Sequence, residues 1–361
     1  MPKDSRPSGF CAMSDSIIPH SRPTLTDAGS KAVSSVIESG QIAQGPVVRE
    51  FEKRFSDCIG RKEAAATNSG TAALHLALLA LGVKEKDEVI IPSFVCTAVL
   101  NAVLYTRATP VVVDVDPETY NISVEAAKRA VTGQTRAIVV PHMFGCPAGI
   151  KELSGLGIPM IEDCAQAVGA NYEGQKVGRF GILSVYSFYA TKVLTTGEGG
   201  MVVSDSEELV SKVKDLREYD NKDDFAVRFN SKMTDIQAAL GLNQLSRLEK
   251  FLEKRREIAS LYFREFKECD FALPVQKDGR EHIYYRFVVK TQDNASSPLE
   301  KCQQKKVMCQ RPVHIPLHVC LELSGFPHTT EAWQRTVSIP LYPSLTQEEI
   351  EKIIAVVKEI F

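Results

Sequence analysis

An α/β fold built around a mostly parallel sheet is what this 361-residue chain predicts. Short, continuous apolar runs such as Val89-Ile90-Ile91, Ala137-Ile138-Val139-Val140 and Ile158-Pro159-Met160-Ile161 alternate with helix-period segments. Strands apolar on both faces belong to parallel sheets covered by helices on either side. The chain is also long for one hydrophobic core, so a second domain is expected. The pattern changes near residue 250, which divides the chain into an arm over 1–22, a large domain over 23–250 and a smaller C-terminal α/β domain over 251–361.

Taken in order, the polar, proline-bearing arm is expected to settle on a neighbouring element or subunit. Ala28, Ala32, Val33 and Val36 give a helical period over 24–40, which Gly40 ends. Gly45-Pro46 opens a second helix with Val47, Phe51 and Phe55 as its buried stripe. Ala64-Ala65-Ala66-Thr67 reads as a short strand, and a helix through Leu81 follows the turn at Asn68-Ser69-Gly70-Thr71. Strand and helix then alternate through 89–91, a helix past Ala98 and Ala102, 111–115, 125–131, 137–140 and 158–161. Met201-Val202-Val203 is a further strand, and a charged helix spans 206–217. A capped, small-residue helix follows 229–234, and a long helix over about 244–266 is placed to bridge the domains. A strand over 284–289, a weakly structured 291–300 and a final helix from Thr346 complete the reading.

Composition narrows the function. A formal net charge of −2 argues against nucleic acid or an anionic membrane as partner. No apolar run approaches the roughly 20 residues that span a bilayer, and Met1 to Phe10 lack a secretory core, so a cytoplasmic protein is expected. Nine cysteines in a chain of this length, with no CxxC pair, do not form a disulfide scaffold. Cys302, Cys309 and Cys320 near His314 and His318 match no zinc spacing, and no metal is expected.

The chemistry gathers on three stretches. In Ser187-Phe188-Tyr189-Ala190-Thr191-Lys192, one lysine stands among small hydroxyl residues ahead of a glycine-rich turn at 197–200. A lysine drawn out of water loses preference for its ammonium form, and its amine then serves as a Schiff-base nucleophile. Asp163 follows a buried apolar run. It either caps what comes next or pairs with a protonated heterocyclic nitrogen and makes that ring an electron sink. Ser69 or Asn68 caps the helix after Gly70, whose first-turn amides suit a phosphate, though an ordinary capped core helix reads equally well. His75, on an apolar helix, is expected to be a satisfied core residue. Asp163, the residues near His142, and Ser69-Gly70 all fall at carboxyl ends of strands, where such sheets bind ligands.

TNSGTAALHLAL, the PSF turn, IEDCAQA, SFYATKVLTTGEGG, FNSKMTDIQAALG and IPLYPSLTQEEI stand in the order of the DegT/DnrJ/EryC1/StrS sugar aminotransferases, which this chain resembles from about Ile18 to Phe361. The resemblance implies the pyridoxal-phosphate transferase fold of type I, the aspartate aminotransferase-like class. It makes Lys192 the lysine that bonds pyridoxal 5'-phosphate and Asp163 the partner of the ring nitrogen. Gln166 falls beside the phenolic oxygen, and Gly70, Thr71 and Ser187 at the phosphate. Asn230 matches an asparagine that reaches the phosphate of the neighbouring subunit, which implies a homodimer with shared sites. Arg311, His314 and His318 fall in the substrate-side loop, as sugar contacts or structural residues. Four departures stand out: Cys96 where a cofactor-stacking aromatic is common, Lys232 where arginine is usual, Tyr189 in place of a histidine, and His314 where a tyrosine is usual.

The implied reaction moves an amino group from an amino acid, glutamate by resemblance, to a nucleotide-linked keto-deoxysugar. A sugar dehydratase of the same family would carry histidine at position 192, and Lys192 weighs against it. A cyclitol acceptor, an amino-acid aminotransferase and a non-catalytic regulator remain as alternatives. The last lacks an appended DNA-binding domain or a basic stripe.

Overall fold

Seven strands form the central sheet of the computed structural model, which describes residues 17–361. They are β1 (Glu63–Thr67), β2 (Glu88–Pro92), β3 (Thr109–Val113), β4 (Thr135–Pro141), β5 (Met160–Asp163), β8 (Leu183–Ser187) and β9 (Gly200–Ser204). Between β5 and β8 lies a small ribbon of β6 (Asn171–Tyr172) and β7 (Gln175–Lys176), which β11 (Arg280–Glu281) extends. The main order is β1-β9-β8-β5-β4-β2-β3. Pairings from β8 to β3 are parallel, and β9 runs antiparallel to both β8 and β1. This is the mostly parallel mixed sheet of the pyridoxal-phosphate transferase fold of type I.

Helices α1 (Asp27–Ser39), α2 (Pro46–Ile59), α3 (Gly70–Ala80), α4 (Thr97–Tyr105), α5 (Val124–Ala130), α6 (Ile150–Ser154), α7 (Glu207–Leu216) and α8 (Asp235–Leu245) surround the sheet. Two apolar cores result. One joins Val48, Phe51, Phe55 and Ile59 to Ala64, Ile138 and Tyr186, and the other joins Leu74, Leu76 and Leu78 to Ala65, Val139 and Val202. Alternate residues of a strand face opposite sides, so Ile138 and Val139 serve different cores.

Helix α9 (Leu248–Glu265) leads away from the sheet, its first turns in the α2-side core and its later residues Ile258 and Tyr262 in a third. Around that third core stand β10 (Phe271–Ala272), β12 (Phe287–Thr291) and β13 (Thr336–Ile339), with α10 (Ser296–Gln304) and α13 (Gln347–Ile360) beside them, while α11 (Leu317–Cys320) and α12 (Pro327–Arg335) join the α3-side core through Leu317 and Ala332. Thr346 caps α13 through a capping box with Glu349.

Three expectations need correction. The strand read over 284–289 begins at Phe287, because the Arg255 guanidinium takes the carbonyls of Tyr284 and Tyr285 at 3.1 Å each and so occupies ladder acceptors. Residues 291–300 contain the start of α10; its entry is fixed by Ala295 N–H on the Gln334 carbonyl (2.9 Å) and Ser296 N–H on Asn294 Oδ1 (2.9 Å). Tertiary partners of this kind lie far away in sequence. Ring edges of Tyr105 and Phe229 surround buried His75, and its Nε2 finds no partner among the described residues, so it is not satisfied there. Of the arm, residues 1–16 lie outside the described residues, while Ile18 bridges to Val307 and is buried in the third core.

Candidate active site

The carboxyl edge of the sheet is where the fold brings the chemical residues together. At the end of β5, successive side chains Glu162 and Asp163 point to opposite faces. Glu162 is fully buried, and its oxygens accept from Gly178 N (2.7 Å), Phe180 N (2.7 Å), Gly181 N (2.6 Å) and His142 Nε2 (3.1 Å). The other ring nitrogen of His142 accepts from Ala148 N at 3.1 Å, which leaves the proton on Nε2. Burial works against the charged Glu162, yet His142 and the backbone donors hold its carboxyl below the usual range. His142, Glu162 and Cys164 lie close enough to suggest a cation site, but their acceptors are already engaged by protein donors.

Asp163 is different. Among the described residues, the one hydrogen bond to its side chain is from Ala165 N, 3.0 Å from Oδ1. Burial pushes its carboxyl up, and the Ala165 amide and the charge of Lys192 only partly oppose this. It caps a turn rather than a helix, since no helix follows β5. A half-buried carboxylate with spare acceptor capacity and a nearby lysine is a site waiting for a cation, which a protonated ring nitrogen provides.

Lys192 is half-buried, on the loop after β8, with Nζ 5.2 Å from the Tyr285 ring centroid. Thr191 Oγ1 lies 3.3 Å from the Tyr285 hydroxyl. Tyr285 was expected only as a strand residue, and nothing in its local sequence ties it to Lys192.

Helix α3 supplies the anion cradle. Ser69 accepts from Ala72 N through its hydroxyl (3.1 Å) and from Ala73 N through its carbonyl (3.0 Å), so the amides of Gly70 and Thr71 remain first-turn donors. A Cβ on Gly70 would meet the Ser187 Cβ at 2.7 Å and its Oγ at 3.1 Å. Glycine is therefore required for the helix start to touch the end of β8, and the touch places the Ser187 hydroxyl beside those amides. Nearby, Gln166 Oε1 accepts from Phe144 N at 2.9 Å, a residue at φ 59°. That bond orients the amide so that its nitrogen is free to donate. Three donors for a phosphate, a carboxylate for a ring nitrogen, an amide for a phenolic oxygen and a primary amine together fit pyridoxal 5'-phosphate.

Other expected residues fall elsewhere. The backbone carbonyl of Asn230 accepts from Asn68 Nδ2 at 3.2 Å, and its side chain is exposed. Lys232 pairs with Asp220 at 2.8 Å, which commits its charge away from a ligand. Cys96 is exposed at the start of α4, whereas Phe94 is buried against Tyr120 and Phe144 and does not take over the stacking role. The Arg311 guanidinium is spent on the Trp333 and Gln334 carbonyls, Asn294 Oδ1 and Ser296 Oγ. His318 is buried, bonded to Ser93 Oγ (2.8 Å) and Thr330 Oγ1 (3.2 Å). Both residues tie separate segments of the chain together through these bonds. His314 is exposed, and only its carbonyl is engaged, by Trp333 Nε1 at 2.9 Å.

Comparison with known proteins agrees with this geometry. The profile of the DegT/DnrJ/EryC1/StrS aminotransferase family matches residues 23–358. A GDP-perosamine synthase of Escherichia coli O157:H7 is 34% identical, over 95% of this chain and 98% of its own. The spore coat polysaccharide biosynthesis protein SpsC of Bacillus subtilis is 33% identical over 95% and 97%. Among solved structures, a putative sugar aminotransferase, Spr1654 of Streptococcus pneumoniae in its PMP form, superposes with a TM-score of 0.91 at 25% identity, covering 95% of this chain and 98% of that one. With its profile matched over residues 23–358, the chain belongs to the DegT/DnrJ/EryC1/StrS aminotransferase family, whose members are pyridoxal-phosphate enzymes.

Proposed function

We propose that this chain binds pyridoxal 5'-phosphate and moves an amino group from an amino-acid donor, glutamate by family resemblance, to the keto carbon of a nucleotide-linked deoxysugar. The observation that carries the reading is the convergence of Lys192 and Asp163 beside the Gly70–Ser187 contact. Relatives named GDP-perosamine synthase and spore coat polysaccharide biosynthesis protein support a nucleotide-sugar acceptor and a place in polysaccharide biosynthesis.

Lys192 would hold the cofactor aldehyde, Asp163 its ring nitrogen, Gln166 its phenolic oxygen, and Gly70, Thr71 and Ser187 its phosphate. Bound there, the cofactor supplies an electron-withdrawing ring that drains charge from the donor's α-carbon. Asp163 keeps a proton on the ring nitrogen by remaining charged against it. Once an amino acid has displaced it, Lys192 Nζ takes the α-proton and later returns a proton to the former keto carbon of the acceptor. The exposed loop before Asn230 carries Phe225 at 97% and Val227 at 72% exposure, apolar surface suited to burial against a second copy. A homodimer in which Asn230 reaches the partner's phosphate is part of this proposal. So are the three-part division of the chain at 22 and 250 and a cytoplasmic setting; no helix among the described residues is long and apolar enough to cross a membrane.

Incubating the purified protein with glutamate and a panel of nucleotide keto-sugars tests the reading. Formation of 2-oxoglutarate together with an aminated sugar by mass spectrometry is expected, and Lys192→Ala should abolish both. Turnover that survives in Lys192→Ala would end the proposal.

A further inference from the structure

Lys192 has two duties in the proposed reaction, and between them its freed amino group must stay in place. We propose that Tyr285 is a positioning residue for Lys192, its ring face holding the amino group over the site and its hydroxyl fixing the neighbouring Thr191. The inference deepens the aminotransferase reading and rests on it.

The geometry comes from both sides of the tyrosine. Its ring lies 5.2 Å from Lys192 Nζ, within the distance at which a cation is drawn to an aromatic face. Its hydroxyl meets Oγ1 of Thr191, the residue before Lys192, at 3.3 Å. The backbone is pinned, because Arg255 Nη1 donates to the carbonyls of Tyr284, Tyr285 and Leu341 at 3.0 to 3.1 Å. A buried ring on a fixed backbone, oriented by a bond to the neighbouring threonine, offers Lys192 one constant surface.

Among the described residues, the charges that face this phenol can be named. Lys192 approaches from the loop after β8 and Arg255 from α9. Arg286 lies on the tyrosine's own segment, its Cζ 5.4 Å from the ring centroid. Asp163 faces Lys192 from β5. His20 reaches Arg286 at 3.1 Å from the N-terminal segment, and burial with the arginine's charge lowers its pKa to about 3, so it adds no charge near neutral pH. Burial pushes the Tyr285 hydroxyl up, but Lys192 first, then Arg286, the Thr191 bond and Arg255, bring it down to about 8.

A near-ultraviolet titration of the phenolate in the cofactor-free protein tests the coupling without turnover. Subtracting the Tyr285→Phe curve isolates one phenol, expected near pH 8. Lys192→Met should move that titration up by about 1 to 3 pH units, since the nearest cation is removed. In the loaded enzyme, Tyr285→Phe should lower kcat by about tenfold with KM values within twofold, and should erase an alkaline limb of the kcat profile near pH 8. Tyr285→Leu, which also removes the ring face, should lower kcat further, and Thr191→Val should fall between wild type and Tyr285→Phe. A phenol indifferent to Lys192→Met, or a Tyr285→Phe enzyme with the wild-type pH profile, overturns the proposal. Wild-type protein that fails to transaminate sinks the functional reading but not the titration. Wild-type protein that transaminates over an indifferent phenol sinks this inference alone.

Discussion

Glu162 and Asp163 are neighbours on one strand, yet they live in opposite electrostatic worlds. Glu162 has three backbone amides and a histidine on its two oxygens, and its carboxyl is held low despite burial. Asp163 has one amide, and burial holds its carboxyl high. The first carboxylate is spent on joining β5 to β4 and to the 178–181 turn. The second keeps its charge available for something the chain does not itself supply. A satisfied buried acid thus marks structure, and an under-satisfied one beside a lysine marks chemistry.

Substitution should exchange these roles cleanly. Asp163→Asn is expected to lower kcat by about 10³-fold while leaving the fold intact, measured as 2-oxoglutarate release alongside a thermal melt. In the cofactor-free chain the same change should raise Tm slightly, by about 2 °C, because it removes an unfavourable buried charge. Glu162→Gln should do the reverse. It faces backbone N–H donors with an amide N–H, and a loss of about 3 kcal/mol in denaturant unfolding is expected.

The pH dependence sharpens the contrast. The depressed Glu162 contributes stability that is present above its unfolded pKa and lost as pH falls through the folded value. The raised Asp163 has the opposite sign, so its cost is relieved as pH falls through its folded value. Acid titrations of cofactor-free Glu162→Gln and Asp163→Asn should therefore bend in opposite directions from wild type. The smallest effects are expected in the C-terminal loop. Arg311→Met should lower stability by about 1 to 3 kcal/mol with KM for the sugar unchanged. His314→Ala should leave stability alone, and its KM shows whether that exposed ring touches the acceptor.

Much of this was legible in the sequence because the signals were local. Gly70 beside a capping serine, Asp163 after an apolar run and Lys192 before a glycine turn each sit where strand ends put them. The failures have a common physical origin. Arg255 takes the carbonyls of Tyr284 and Tyr285 from another element, which delays the strand start. Arg311 and His318 read as sugar contacts or structural residues alike, because their partners Ser296, Trp333 and Ser93 come from other segments. Tyr285 carries no motif at all. Its meaning comes only from folding against Lys192.

Borohydride reduction of the cofactor-loaded protein, followed by peptide mass spectrometry, asks most directly which amine holds the cofactor. The account predicts the added pyridoxyl-phosphate mass on the peptide that contains Lys192, and its absence from Lys192→Ala. Stable attachment at another lysine, or none in wild type, would contradict it.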